Sequence, residues 1–199
     1  MLRLQTSYIY LPTRLILGSK NIGPETNFQS SRNQTGKSVM NSVSGSDRVG
    51  HLLDGVAYDF VPSPNCDDRP ENVEIDTVVI HTISLPPGEY GGDGIIDFFL
   101  NRIQAADHPY FESIYHLKVS SHFLVRRGGE ILQFVPVARR AWHAGDSEFK
   151  GRNAVNDFSI GIELEGMENS SFESTQYESL TVLTRLLMNT YPAIMLDRI

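Results

Sequence analysis

A chain of 199 residues with 40% apolar residues is long enough for one domain with a real core, which excludes a wholly disordered protein. Its formal charge of -7 divides into +4 over residues 1–50 and -11 over the rest, and an acidic main body excludes a protein that tracks nucleic-acid phosphates. Cys66 is the only cysteine, so neither an internal disulfide nor a cysteine zinc cluster can form, and no apolar stretch approaches a membrane span.

In chain order, the opening MLRLQTSYIYLPTRLILGSK has an apolar run broken by Pro12, Thr13 and Arg14, with no small-residue cleavage site after it, so a cytoplasmic protein is expected. From Gly18 to Gly50 the chain is rich in Ser, Asn, Gly and Thr without periodicity, and residues 1–50 are expected to form a disordered extension. SRNQTGKS (31–38) ends like a phosphate-binding loop, but Ser31 replaces that motif's first glycine and no strand precedes it. Met40 is an alternative start.

Punctuated secondary structure begins at His51. VPSPNCDDRP (61–70) is a turn-rich lead-in. Thr77, Val78, Val79 and Ile80 form a β-branched run that predicts a buried strand, with His81 at its end, before a loop of prolines and glycines. At such a strand end an imidazole is either a core histidine bonded to a carbonyl or a functional group. After Gly91 and Gly92, Asp93 can cap a short helix that buries Ile95, Ile96, Phe98, Phe99 and Ile103. ADHPYF (106–111) reads as a loop, and VSSHFLVRRGGEILQFVP (119–136) as a hairpin turning at Gly128 and Gly129.

In FSIGIELEG (158–166), Ile160, Ile162 and Leu164 alternate with Gly161, Glu163 and Glu165, and Glu165 is expected on a solvated face. Ser174 or Thr175 opens a final helix, for which Thr175 and Glu178 fit a capping box, with Leu180, Leu183 and Leu187 inward and Pro192 as its stop. His122 reads as a buried, satisfied residue rather than a metal ligand. Trp142 and His143, in AWHAG, are either core or the wall of a pocket that stacks on a sugar or peptide group. A serine nucleophile lacks its Gly-x-Ser-x-Gly turn, and Cys66 has no nearby partner, leaving metal-assisted hydrolysis as the enzymatic reading.

The blocks VPSPNCDDRP, VVIHTISLPPGEYGG, DHPYF, VSSHFLVRRGGEILQFVP, RRAWHAG and NDFSIGIELEG resemble, in order and spacing, the AmpD-type N-acetylmuramoyl-L-alanine amidases. The resemblance implies an α/β fold, a mixed central sheet with packed helices like that of peptidoglycan-recognition proteins, over residues 51–199. It also implies zinc as cofactor, with His81 as a metal ligand, Glu163 as the catalytic proton carrier, and Tyr110, Trp142 and His143 beside a muropeptide substrate. The implied reaction is hydrolysis of the amide between (1,6-anhydro-)N-acetylmuramic acid and L-alanine in cell-wall recycling, with neither nucleic acid nor membrane as partner.

In that family a second histidine, an aspartate and an oxyanion-stabilising lysine follow the YPAI block, where this sequence reads YPAIMLDRI; Asp197 is not in the matching context. The domain is therefore expected to be incomplete, with one matched zinc ligand, and either a zinc amidase or a non-catalytic muropeptide-binding remnant is implied. Thr82 and Lys118 stand where relatives often carry asparagine and arginine.

Overall fold

A computed structural model describes residues 58–199; the expectations for residues 1–50, Ser31–Ser38 and Met40 lie outside the described residues. The elements are β1 (Asp59–Phe60), β2 (Cys66–Asp68), β3 (Thr77–Ile83), α1 (Gly94–Phe99), β4 (Phe123–Val125), β5 (Ile131–Gln133), β6 (Arg139–Ala141), β7 (Glu148–Phe149), β8 (Arg152–Asn153), β9 (Ser159–Glu165) and α2 (Ser174–Thr190). A five-stranded sheet runs in the order β1-β5-β4-β9-β3. It is mixed: β3 and β4 both pair parallel to β9, β1 parallel to β5, and β4 antiparallel to β5. The mixed sheet with packed helices expected from the sequence is what forms.

Strand β9 lies between two partners, so all seven of its residues are buried. Its Ile160, Ile162 and Leu164 join Val78, Phe123, Val125 and the α2 residues Leu183 and Leu187 in one core cluster. Each fully buried leucine contributes about 1.5–3 kcal/mol relative to an exposed one. The opposite face packs Leu124, Leu132 and Phe134 against Ile95, Phe98 and Phe99 of α1. The sheet thus carries α2 on one side and α1 on the other.

The hairpin forms about Gly129, which adopts φ 91° and donates its N–H to the Arg126 carbonyl at 2.9 Å. Two cap expectations are corrected. Asp93 sits at the N-cap of α1, but its side chain caps nothing; its carbonyl accepts the Asp97 N–H at 2.8 Å, and its carboxylate lies 3.7 Å from Arg126. Helix α1 ends at Phe99, leaving Ile103 buried beyond it. In α2 the cap is Glu173, whose N–H donates to Gln176 Oε1 at 3.0 Å. Thr175 instead donates its hydroxyl to the Arg127 carbonyl at 2.8 Å, and Glu178 is exposed. Fully buried Gln176 also donates to the carbonyls of Glu165 (3.0 Å) and Val125 (3.3 Å), tying the start of α2 to the ends of β9 and β4.

The lead-in is more than turns. Strand β2 pairs with β6, and Arg69 donates to the carbonyls of Asn156 (3.0 Å), Asp157 (2.8 Å), Ser159 (2.8 Å) and Val137 (3.1 Å). Ser63 Oγ donates to the Phe99 carbonyl at 2.6 Å, and Asn65 Nδ2 to that of Val119 at 2.7 Å.

Candidate active site

Parallel pairing sets the site. The β3–β9 register places Ile80 opposite Ile162 and His81 opposite Glu163. Because side chains alternate, packing the isoleucines toward α2 turns His81 and Glu163 together onto the α1 face. Neighbouring strands run about 4.8 Å apart, so imidazole and carboxyl are adjacent.

Glu163 is 8% exposed, and its Oε2 is buried without a hydrogen-bond partner. A buried carboxyl with an empty oxygen is uncommon, and burial pushes it up to about 8, which keeps its proton at neutral pH. His81 moves the other way, down to about 4 by burial, and is neutral.

His143 comes to the same place across 62 positions of sequence. Its Nδ1 lies 2.9 Å from His81 Nε2 with the rings edge to face, and its Nε2 lies 3.2 Å from Ser159 Oγ. Burial drives it well below the ordinary histidine value, and the neighbouring His81, His122 and Arg69 act in the same direction. Asn156 Oδ1 fixes the backbone beneath it by accepting the N–H groups of His143 (3.1 Å) and Ala144 (2.8 Å). The ring lies on Gly161, where a Cβ would stand 2.5 Å from His143 Cγ. Only glycine leaves that space.

His122 is fully buried and bonded: Nδ1 accepts the Gly161 N–H at 3.0 Å, and Nε2 lies 3.0 Å from the Arg139 carbonyl. Burial lowers it to about 3, with Arg69 adding to the effect. Trp142 is half-buried, its indole N–H donating to Asp67 Oδ1 at 3.1 Å, and Asp67 pairs in turn with Arg140. Tyr110 is 42% exposed at the edge of a short 3-10 turn, Phe111–Ser113. Thr82 donates its hydroxyl to the Gly166 carbonyl at 3.0 Å, and Lys118 is exposed. Asp197 pairs with Lys150 at the surface.

The expectation for Glu165 is overturned. It is 2% exposed, its Oε1 accepting the Gly91 N–H at 2.7 Å and its Oε2 the Arg127 N–H at 3.1 Å. The loop after β3 and the hairpin turn close over that end of β9, so alternation gives the right face but the wrong exposure. A cavity of about 390 Å³ opens under the same loop; Leu85, Tyr90, Asp93, Asp97 and His108 line it, apart from His81 and Glu163.

Comparison with known proteins decides the family. The family described as N-acetylmuramoyl-L-alanine amidase matches residues 71–199. The chain belongs to this amidase family. It is 52% identical over 134 residues to the 1,6-anhydro-N-acetylmuramyl-L-alanine amidase AmpD of Salmonella typhimurium, covering 67% of this chain and 72% of that protein. The AmpD of Escherichia coli is 51% identical, with 67% and 73% covered. A crystal structure of selenomethionine AmpD matches the fold with a TM-score of 0.68 at 50% identity, over 69% of this chain and 76% of that one. The solution structure of Citrobacter freundii AmpD gives 0.53 at 49% identity, over 72% and 78%.

Tested against the zinc that the sequence resemblance implies, the amidase site is one-sided. His81 offers a neutral imidazole beside a carboxyl oxygen without a partner. Among the described residues no group of three His, Cys, Asp or Glu side chains is arranged to hold a metal ion. A catalytic zinc takes three protein donors, so these residues alone do not fit one.

The sequence reading missed Ser159, Asn156 and Gly161. No local pattern marks them, because each acts on His143 through the fold.

Proposed function

We propose that this protein cleaves the amide between N-acetylmuramic acid, in its 1,6-anhydro form, and the L-alanine of a muropeptide, as the names of its AmpD relatives describe for them. Residues 51–199 form the amidase domain and residues 1–50 an extension it can do without. The observation that carries the reading is the His81–Glu163 pair on neighbouring strands, with the empty Oε2 of Glu163 buried beside a neutral imidazole.

In amide hydrolysis a proton leaves the attacking water and another reaches the departing amine. One carboxyl can do both in turn, and Glu163 has an oxygen free for it. Burial alone keeps that carboxyl protonated, so its work as a base needs positive charge nearby. His81 would be one donor to a zinc ion, which would supply that charge, but the described residues do not complete its donor set. Tyr110 offers the most open ring to the substrate, and Trp142 and His143 stand deeper. The setting we assign is cytoplasmic cell-wall recycling; no helix among the described residues is long and apolar enough to cross a membrane.

The lack of a three-donor group among the described residues favours a second reading, a muropeptide-binding protein that does not cleave. Incubating the purified chain with anhydromuropeptide, with zinc content measured on the same sample, separates the two. Release of the L-alanyl peptide, abolished by Glu163→Ala, supports the amidase; binding by calorimetry without release supports the second reading.

A further inference from the structure

Trp142, the only tryptophan of the chain, is tied down along both its backbone and its ring. Its backbone N–H donates to Ser120 Oγ at 3.1 Å, and its carbonyl accepts the Ser120 N–H at 3.1 Å. The next two N–H groups, of His143 and Ala144, are taken by Asn156 Oδ1. Strand pairing then places the ring. Asp67 and Arg140 are direct partners in the β2–β6 ladder, and alternation turns Arg140 and Trp142 to one side while Ala141 enters the α1 core. Asp67 Oδ1 meets both of them: it accepts the Arg140 Nε–H at 2.7 Å and the indole N–H at 3.1 Å, while Oδ2 accepts from Arg140 Nη2 at 2.5 Å. An indole nitrogen only donates and an ionised carboxylate only accepts, so atom type alone fixes the direction of the bond. The hydrogen bonds from Arg140 hold the Asp67 carboxyl below its ordinary value and keep it ionised. The remaining arm of Arg140, Nη1, donates to Asp157 Oδ1 at 2.5 Å, next to Asn156.

We propose that Asp67, braced by Arg140, is a positioning residue that fixes the orientation of the Trp142 indole, so that the ring stands as a rigid platform for the sugar of the muropeptide. The platform rests on the amidase reading; the brace does not. Among the described residues Trp142 belongs to neither core cluster, so polar contacts and not packing set its ring. A tryptophan side chain turns about two bonds, and with its backbone already held, one hydrogen bond at the ring edge selects the rotamer. The N–H lies on the rim of the indole, so its bond to Asp67 leaves the π faces free to pack on the C–H groups of a sugar. Trp142 is half-buried, which leaves part of the ring open to such a contact. A ring that is already ordered has no motion to give up on binding, and affinity gains by that amount.

The full chain carries one indole, so a single 1H–15N indole signal and the intrinsic fluorescence both report on Trp142. In the wild type the indole N–H is expected to exchange slowly with water, and the ring to move only with the backbone in time-resolved fluorescence anisotropy. Asp67→Ala should speed that exchange by roughly tenfold, the order set by one lost hydrogen bond, and add nanosecond motion of the ring. Calorimetry with anhydromuropeptide should then show an affinity weaker by roughly two- to tenfold, the cost of ordering one side chain on binding. Asp67→Asn, which keeps an oxygen at Oδ1, should restore slow exchange and most of the affinity. Unchanged indole exchange and motion in a folded Asp67→Ala protein overturn the brace, and a mobile indole with undiminished affinity overturns the platform. A wild-type chain that binds no anhydromuropeptide overturns the platform together with the amidase reading, while the indole signal still decides the brace. If Asp67→Ala does not fold, the wild type decides: an indole N–H exchanging as fast as in a free peptide, or a ring moving independently of the backbone, overturns the brace.

Discussion

His81 and Glu163 stand opposite each other in the parallel β3–β9 ladder, with the carboxyl buried and its Oε2 unpartnered. Removing the carboxyl should therefore take away proton transfer and little else. In a form of the protein extended to carry the family's remaining zinc ligands, Glu163→Ala is expected to lower amide hydrolysis by roughly 100 to 10,000-fold, with zinc content unchanged, whereas His81→Ala should lose the metal. Turnover of anhydromuropeptide and elemental analysis, run side by side, check both. Near-normal turnover by Glu163→Ala would remove that residue from its role.

The same carboxyl makes stability depend on pH. Unfolded, Glu163 titrates near 4.5; folded, burial raises it to about 8. Between these values the fold keeps a proton that the unfolded chain has released, so stability is full below 4.5 and declines as pH rises toward 8. His81 and His122 work in the opposite direction. Their folded values of about 4 and about 3 lie below the ordinary 6.5, so their contribution is full above 6.5 and is lost as pH falls. In metal-free protein, Glu163→Gln should be more stable than wild type at pH 8 by on the order of 4 kcal/mol, with the gap closing near pH 4.5. Urea unfolding at the two pH values measures it, and a gap independent of pH would show that the carboxyl is not neutral in the fold.

Glu165 clamps two backbone N–H groups, Gly91 and Arg127, from segments that meet over the end of β9. In Glu165→Gln one of those donors faces an amide NH₂ instead of an oxygen, at a cost of about 1–3 kcal/mol. Amide hydrogen exchange should quicken at Gly91 or Arg127 while the α2 interior stays protected. Uniform change across the chain would mean that the clamp is not local.

Gly161→Ala puts a methyl group where only 2.5 Å separates it from the His143 ring. The ring has to move, and overpacking of this kind costs about 1–3 kcal/mol. The contact between His81 and His143 should be lost together with the stability, as NMR and urea unfolding would show. A folded variant with that contact intact would mean that β9 yields instead of the ring.

The sequence made the frame legible because its signals are local. A β-branched run became β3, alternation became β9, and the paired glycines turned the hairpin. Alternation also put Glu163 and Glu165 on one face, but it says nothing about what covers that face. The cover comes from Gly91 and Arg127, far off in sequence. The α2 cap lies two residues earlier than expected for a related reason: Gln176 is needed by the carbonyls of Glu165 and Val125, and its oxygen caps from where that leaves it. His143 was visible as an unusual histidine beside the only tryptophan, whereas its contact with His81 depends on how the chain returns to the sheet.

The struts that precede β3 bear on where the protein can be cut. The family match begins at residue 71, yet Ser63, Asn65 and Arg69 carry hydrogen bonds into α1, the Val119 segment and the chain leading into β9. A recombinant fragment started at the family boundary would lose the guanidinium that gathers four carbonyls beneath His122 and would expose the carbonyl ends it had held. Expression boundaries are better drawn upstream of Tyr58, so that the working unit is defined by its bracing and not by its similarity.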